Sequence, residues 1–197
     1  MSDAQPDYFV HDSSYVDEGA RIGDGTKIWH FCHVMKRANI GEKCVIGQNC
    51  FVGPDVTLGN NCHLQNNVSV YTMVTLEDDV FCGPSMVFTN DINPRAGYHK
   101  ESVDAYLPTL VKRGASLGAN CTIVCGTVIG NHAMVGAGAV VSRDVPDYAI
   151  VAGVPARVKG WMCECGQKLG FPEDDGETAC AKCGLKYVKT GLVVKPV

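Results

Sequence analysis

From Val10 to Phe88 an apolar side chain returns at every sixth residue without a slip: Val10, Val16, Ile22, Ile28, Val34, Ile40, Ile46, Val52, Leu58, Leu64, Val70, Leu76, Cys82 and Phe88. A helix repeats near 3.6 residues and a strand near 2, so a strict period of six belongs to neither alone. The residue after these anchors is often Gly (Gly23, Gly41, Gly47, Gly53, Gly59, Gly83), and the residue four places on is small or β-branched (Ala20, Thr26, Cys32, Ala38, Cys44, Cys50, Val56, Cys62, Val68). This is a hexapeptide repeat, the signature of a parallel β-helix. After an interruption the pattern resumes at Val111, Leu117, Ile123, Ile129, Val135 and Val141, giving twenty hexads. Three hexads make one triangular turn, so residues 18 apart should stack at about 4.8 Å, and the prism should be roughly 30 Å long. Anchors and small residues should point inward, while glycines and asparagines should serve the corners, where positive φ is tolerated.

Eleven cysteines first suggest a disulfide scaffold. Their register says otherwise: Cys32, Cys44, Cys50, Cys62 and Cys121 hold the small inward position and Cys82 holds an anchor, so they read as core filler. Cys125, two places after an anchor, should face outward. The net charge of -4 and the pI near 5.8 offer no general attraction to polyanions, which argues against nucleic acid and anionic membranes as partners. The start of the chain lacks a signal-peptide pattern, and no apolar run is long enough to span a bilayer, so the sequence reads as cytoplasmic.

The repeat gives way between Phe88 and Val111 to a polar loop, residues 89–110, and a long loop ejected from a regular solenoid reads as functional. From Asp144 the chain should leave the helix through a closing segment. The expected organisation is a β-helix over residues 8–160 and a small Cys-containing tail over 161–197.

The closing phrase Val151-Ala152-Gly153-Val154-Pro155-Ala156-Arg157-Val158-Lys159-Gly160 resembles the segment that ends the prism in left-handed β-helix acyltransferases that use acetyl-CoA. The run Val80 to Asn90, with Asn93-Pro94-Arg95 and Pro108-Thr109-Leu110-Val111, is similar to the N-acetyltransferases of UDP-2-acetamido-3-amino-2,3-dideoxy-glucuronate, the WbpD/WlbB type. The resemblance covers residues 8 to 165. It implies an all-β, left-handed parallel β-helix and a homotrimer with sites in the clefts between prisms. It also implies transfer of acetyl from acetyl-CoA to the 3-amino group of a UDP-linked amino-uronic acid, for the 2,3-diacetamido uronic acids of O-antigen and lipopolysaccharide. A cleft between copies suits a long cofactor and a nucleotide sugar better than one flat face does.

Such a reaction needs a neutral amine, a polarised thioester carbonyl and a destination for one proton. His99 is the loop histidine that corresponds by position to the base of other superfamily members. Asn90 is the stronger candidate, because a coil edge holds an amide more rigidly than a loop tip does. Asn cannot take up a proton, but it can orient the amine or bind the oxyanion while the departing thiolate accepts the proton. Asn90 also reads as a simple turn residue. Two places after the anchor, His30, Gln48, Asn66 and Pro84 form a polar column that reads either as a nucleotide-sugar groove or as a solvated edge. Trp29 and Tyr71 stand where Gly is usual and suit ring stacking or subunit contact. Arg95 matches a carboxylate or phosphate bidentately. By resemblance Arg157 and Lys159 meet the CoA phosphates, while Gly126, Gly136, Ala137 and Gly138 leave the late coils flat enough for the pantetheine arm, or simply make tight corners.

In the tail, Cys163-x-Cys165-Gly and Cys180-x-x-Cys183-Gly resemble a zinc ribbon, in which four thiolates close a structural site. Two other readings compete with the transferase. A γ-type carbonic anhydrase needs three histidines across an interface, and His63 and His132 show no paired ligand spacing. A non-catalytic β-helix scaffold has no need of the loop, Arg157 or Lys159.

Overall fold

The computed structural model describes residues 7–98, 102, 106–173 and 175–197. His99 lies outside the described residues. Among the described residues, twenty-six short strands run in chain order from β1 (Phe9–Val10) to β26 (Val193–Pro196). Among the described residues there is no helix, and so none long and apolar enough to cross a membrane. The first twenty strands follow the hexads in threes and stack into three parallel faces, the β-helix that the repeat predicts, of the left-handed kind that the resemblance implies. The pairing steps by 18 residues, as in Lys27 with Val45 and His63 with Phe81. The first, second and third faces belong to sheets of ten, seven and six strands, the first including two antiparallel strands at its end.

Inside, the anchors form one continuous core. Ile28, Val34, Ile46, Leu64 and Phe88 are fully buried, whereas Val10, Val16 and Ile22 in the first coil are only partly covered because no coil lies below them. The small positions do more than fill space. Thr26 Oγ1 donates to Gly41 O at 2.8 Å, and the thiols of Cys32, Cys44, Cys50 and Cys62 donate in the same way to Gly47 O, Gly59 O, Gln65 O and Glu77 O at 2.9 to 3.1 Å. Each satisfies a corner carbonyl that strand pairing leaves over. Burial pushes the Cys121 thiol up to about 11 and that of Cys82 further, so these groups stay protonated.

Two expectations about the corners need correction. The glycines directly after the anchors do not carry positive φ. They allow close approach: a Cβ on Gly41 would lie 2.6 Å from the Gly59 backbone, and one on Gly23 would lie 2.5 Å from Gly41. Positive φ falls two residues later, at Phe31, Arg37, Lys43, Asn49, Asp55, Asn61 and Asn67 among others. Cys125 does not face outward but is 3% exposed. The returning end of the loop covers it: Leu107 N donates to Asn90 O at 3.3 Å, and Gly126 N to Pro108 O at 3.1 Å.

The helix also runs further than Asp144. Val145 bridges to Ile129, and β21 (Ala149–Ala152) pairs in parallel with β19 (Met134–Val135), adding one more strand to the first face. The chain then reverses into β22 (Arg157–Met162), antiparallel to β21, and β23 (Lys168–Leu169) pairs antiparallel to β22. The rest of the tail is a three-stranded antiparallel sheet of β24 (Gly176–Ala179), β25 (Lys186–Thr190) and β26.

Candidate functional site

The loop leaves after β14 (Val87–Phe88) and returns at β15 (Thr109–Val111), so it springs from the corner between the second and third faces. Its stem is fixed on both sides. Thr89 N donates to Ile123 O at 3.0 Å, Thr89 Oγ1 accepts from Cys125 N at 3.0 Å, and Leu107 holds the Asn90 carbonyl. Asn90 is half-buried at that stem. Further out, Asn93 N donates to Asp91 Oδ1 at 2.9 Å, while Arg95 is exposed and donates to Pro94 O at 2.8 Å. Tyr71 lies on the same corner, two residues beyond Ser69, which pairs with Val87, and its ring leans on Phe51 at 5.7 Å. The fold thus brings Tyr71, Asn90 and the start of the loop together.

The polar column lies elsewhere. His30, Gln48 and Asn66 occupy the corner between the first and second faces, one full face away from Asn90 within a chain. Asn66 Oδ1 accepts the Gln48 backbone N–H at 2.9 Å, and the His30 ring stacks on His11 at 3.5 Å. Trp29 sits beside them, 5.5 Å from Phe9. Ala137 also belongs to this corner, next to Gly136 and Gly138, whereas Gly126 lies on the loop corner beneath Leu107.

At the closed end, Arg157 and Lys159 are exposed on β22. Arg157 and Arg143 line one depression of about 140 Å³ with Ser142, Asp144 and Ala156. Arg143 is a candidate that the motifs did not single out. Its signal was available, because Phe88 pairs with Ile123 and Ile123 with Val141, so Asn90, Cys125 and Arg143 form one column on the loop corner. Two coil steps, about 10 Å, separate its ends. The edge runs from Asn90, whose backbone carbonyl Leu107 holds, to a pair of guanidinium groups.

In the tail the thiol sulfurs of Cys163, Cys165, Cys180 and Cys183 all lie within 4.8 Å of one another. Cys163 and Cys183 are 3.5 Å apart, as are Cys165 and Cys180, and a tetrahedral zinc thiolate asks for about 3.8 Å. The two turns match: Gly166 N donates to Cys163 O and Gly184 N to Cys180 O, each at 2.9 Å, with φ of +81° and +79° at the glycines. Backbone N–H groups of Cys183 and then Lys182 favour the Cys180 thiolate and hold its pKa down to about 6. Among the described residues this is the one group of three or more His, Cys, Asp or Glu side chains close enough to share a metal. His63 and His132 join no such group among the described residues.

A model of the bacterial transferase hexapeptide, six repeats long, matches residues 19–54, 37–72 and 108–143. A dTDP-3-amino-3,6-dideoxy-alpha-D-galactopyranose 3-N-acetyltransferase from Aneurinibacillus thermoaerophilus is 56% identical over 79 residues, 40% of this chain and 40% of that protein. Galactoside O-acetyltransferase of Escherichia coli is 30% identical over 92 residues, 46% of this chain and 45% of its own. The matched region thus spans less than half the length of these relatives. A mutant of AntD, an N-acyltransferase from Bacillus cereus solved with dTDP and coenzyme A, shares the fold with a TM-score of 0.50 at 16% identity, covering 80% of this chain and 84% of its own. The six-residue period and the three-sided coil it builds thus carry bacterial transferase hexapeptide repeats over residues 19–72 and 108–143, the likeness that this chain shares with hexapeptide-repeat acyltransferases.

Proposed function

We propose that the protein is an acetyl-CoA-dependent N-acetyltransferase acting on the 3-amino group of a nucleotide-linked sugar. The finer reading is a UDP-linked 3-amino-uronic acid on the way to a 2,3-diacetamido uronic acid of O-antigen. The observation that carries the proposal is the 56% identity to an enzyme named for 3-N-acetylation of a nucleotide-linked amino sugar. That relative takes a dTDP sugar, so the 3-amino group is the shared element and the nucleotide is the part assigned by sequence resemblance.

On this reading the sugar amine attacks the thioester carbonyl, forming the amide N–C bond, and the C–S bond breaks to release CoA thiolate. Asn90 orients the amine or donates to the oxyanion from its fixed stem, and the thiolate takes the amine proton. Arg95 clamps the uronate carboxylate or a phosphate. Arg157 and Lys159, joined by Arg143, receive the CoA phosphates, and the pantetheine arm follows the edge past Gly126 toward Asn90.

The chain works as a homotrimer in this account. The first face presents Phe9, Val45, Phe81, Met134 and Ile150 beside Lys27, His63 and Ser116, the second Tyr15, Phe51, Val87 and Val140 beside His33, Ser69 and Thr122, and the third Arg21, Asn39, Thr57 and Thr75 beside Leu110 and Val128, so the first two are the more apolar. Burying the first two faces against neighbours turns their shared corner, with His30, Gln48, Asn66 and Ala137, toward the centre. A loop at the opposite edge of the second face then reaches a neighbouring copy. Acetylation of the amino sugar with ¹³C-acetyl-CoA, followed by NMR, tests the chemistry: the label should appear as an amide on the nitrogen at sugar C3, and an ester or another position contradicts it.

A further inference from the structure

The tail buries few side chains of its own, chiefly Trp161, Cys163, Leu169, Cys180, Tyr187 and Val194. A sheet this small needs a staple. Its contact with the prism is specific. Tyr187 is fully buried, and its hydroxyl lies 3.1 Å from Cys163 Sγ and accepts the Glu164 N–H at 3.3 Å. Its ring meets Tyr148 edge-on at 5.4 Å, and Tyr148 stacks in turn on His132 of the last full coil at 5.4 Å. Tyr148 Oη also donates to Glu164 Oε1 at 3.1 Å. The cysteine cluster, two tyrosines and a coil corner therefore form one continuous chain of contacts.

We propose that Cys163, Cys165, Cys180 and Cys183 bind one structural zinc ion, and that this site latches the tail to the end of the β-helix through Tyr187 and Tyr148. Four thiolates leave the metal no open position, so its work is mechanical. The Tyr187 hydroxyl donates to the Cys163 sulfur and fixes that ligand's orientation, as outer hydrogen bonds do in metal sites. The latch protects what an open solenoid end exposes: β21 would otherwise present unpaired edge groups, β22 covers them in antiparallel register, and β23 pairs in turn with β22. The latch stands whichever acyl acceptor the enzyme uses.

The test uses the full chain purified without chelator. Metal analysis should give one zinc per chain, and the Cys180→Ser/Cys183→Ser variant should give none. Stripping the metal should speed amide exchange at least tenfold in residues 148–163 and 186–190, while the early coils stay protected. Tyr187→Phe should keep the fold and weaken zinc affinity about 10- to 100-fold in competition with a chromophoric chelator. An iron centre, a pair of disulfides, or four reduced thiols without metal each overturn the site. Zinc whose removal leaves exchange around Tyr148 unchanged overturns the latch, and unchanged affinity in Tyr187→Phe overturns the role of that hydroxyl.

Discussion

Asn90→Ala and Arg157→Ala should fail in different ways. On the proposed reaction the first removes an interaction made in the transition state, so kcat should fall by about 10²-fold with little change in KM for acetyl-CoA; the second should mainly raise that KM. Steady-state kinetics of the two variants decide it, and equal losses in both constants would sink the assignment. The glycines after the anchors make a separate prediction. A Cβ on Gly41 would meet the Gly59 backbone and Asn60 Oδ1 at 2.6 Å, so Gly41→Ala should cost about 1–3 kcal/mol in denaturant unfolding. Gly97→Ala, with open space around it, should stay within about 0.5 kcal/mol. At this scale the sequence shows which positions must be small but misplaces the reason. Period six marks Gly41 as special, yet whether it needs positive φ or close approach depends on how the next coil stacks. The burial of Cys125 was equally out of reach, because the repeat says nothing about where Leu107 returns.

The ejected loop is an insertion into an otherwise complete element. Phe88 and Val111 are 23 residues apart where the hexad needs six, yet their strands still pair in step with the coil below, β12 (Val74–Leu76) with β15 (Thr109–Val111). The stem is already closed, with Leu107 bonded to Asn90. Cutting the loop back to hexad length should therefore leave the far-ultraviolet circular dichroism spectrum and cooperative unfolding of the prism intact while abolishing acetyl transfer. Loss of the fold would mean that the loop is structural. Which corner carries the loop follows from the hexad count alone. His30 and Phe88 belong to anchors ten hexads apart, and ten is not a multiple of three, so the polar column and the loop cannot share an edge. The same counting, with the insertion removed, places Arg143 above Asn90. The tail is different, since its cysteine spacing reveals a site but no periodicity foretells the Tyr187–Tyr148 contact.

For the whole molecule, first and second faces that carry more apolar outward residues than the third predict three copies. Light scattering should return three times the 21.1 kDa chain mass, and a stable monomer that turns over would remove the intersubunit site. The stacked coil follows from the period, because an 18-residue turn brings these anchors into one core, whereas its hand comes from the resemblance. The site is less legible, since in the proposed homotrimer a cleft between copies would join residues that no single-chain pattern puts together. The central claim is acetyl transfer to a 3-amino nucleotide sugar, and thiol release from acetyl-CoA over a small panel tests it most directly. UDP-2-acetamido-3-amino-glucuronate and a dTDP-3-amino sugar should bracket the true acceptor, with a UDP-4-amino sugar as control. The account predicts release with the 3-amino-uronate and none with the control. Release with the 4-amino sugar alone, or with no sugar in the panel and no binding of CoA, would contradict it.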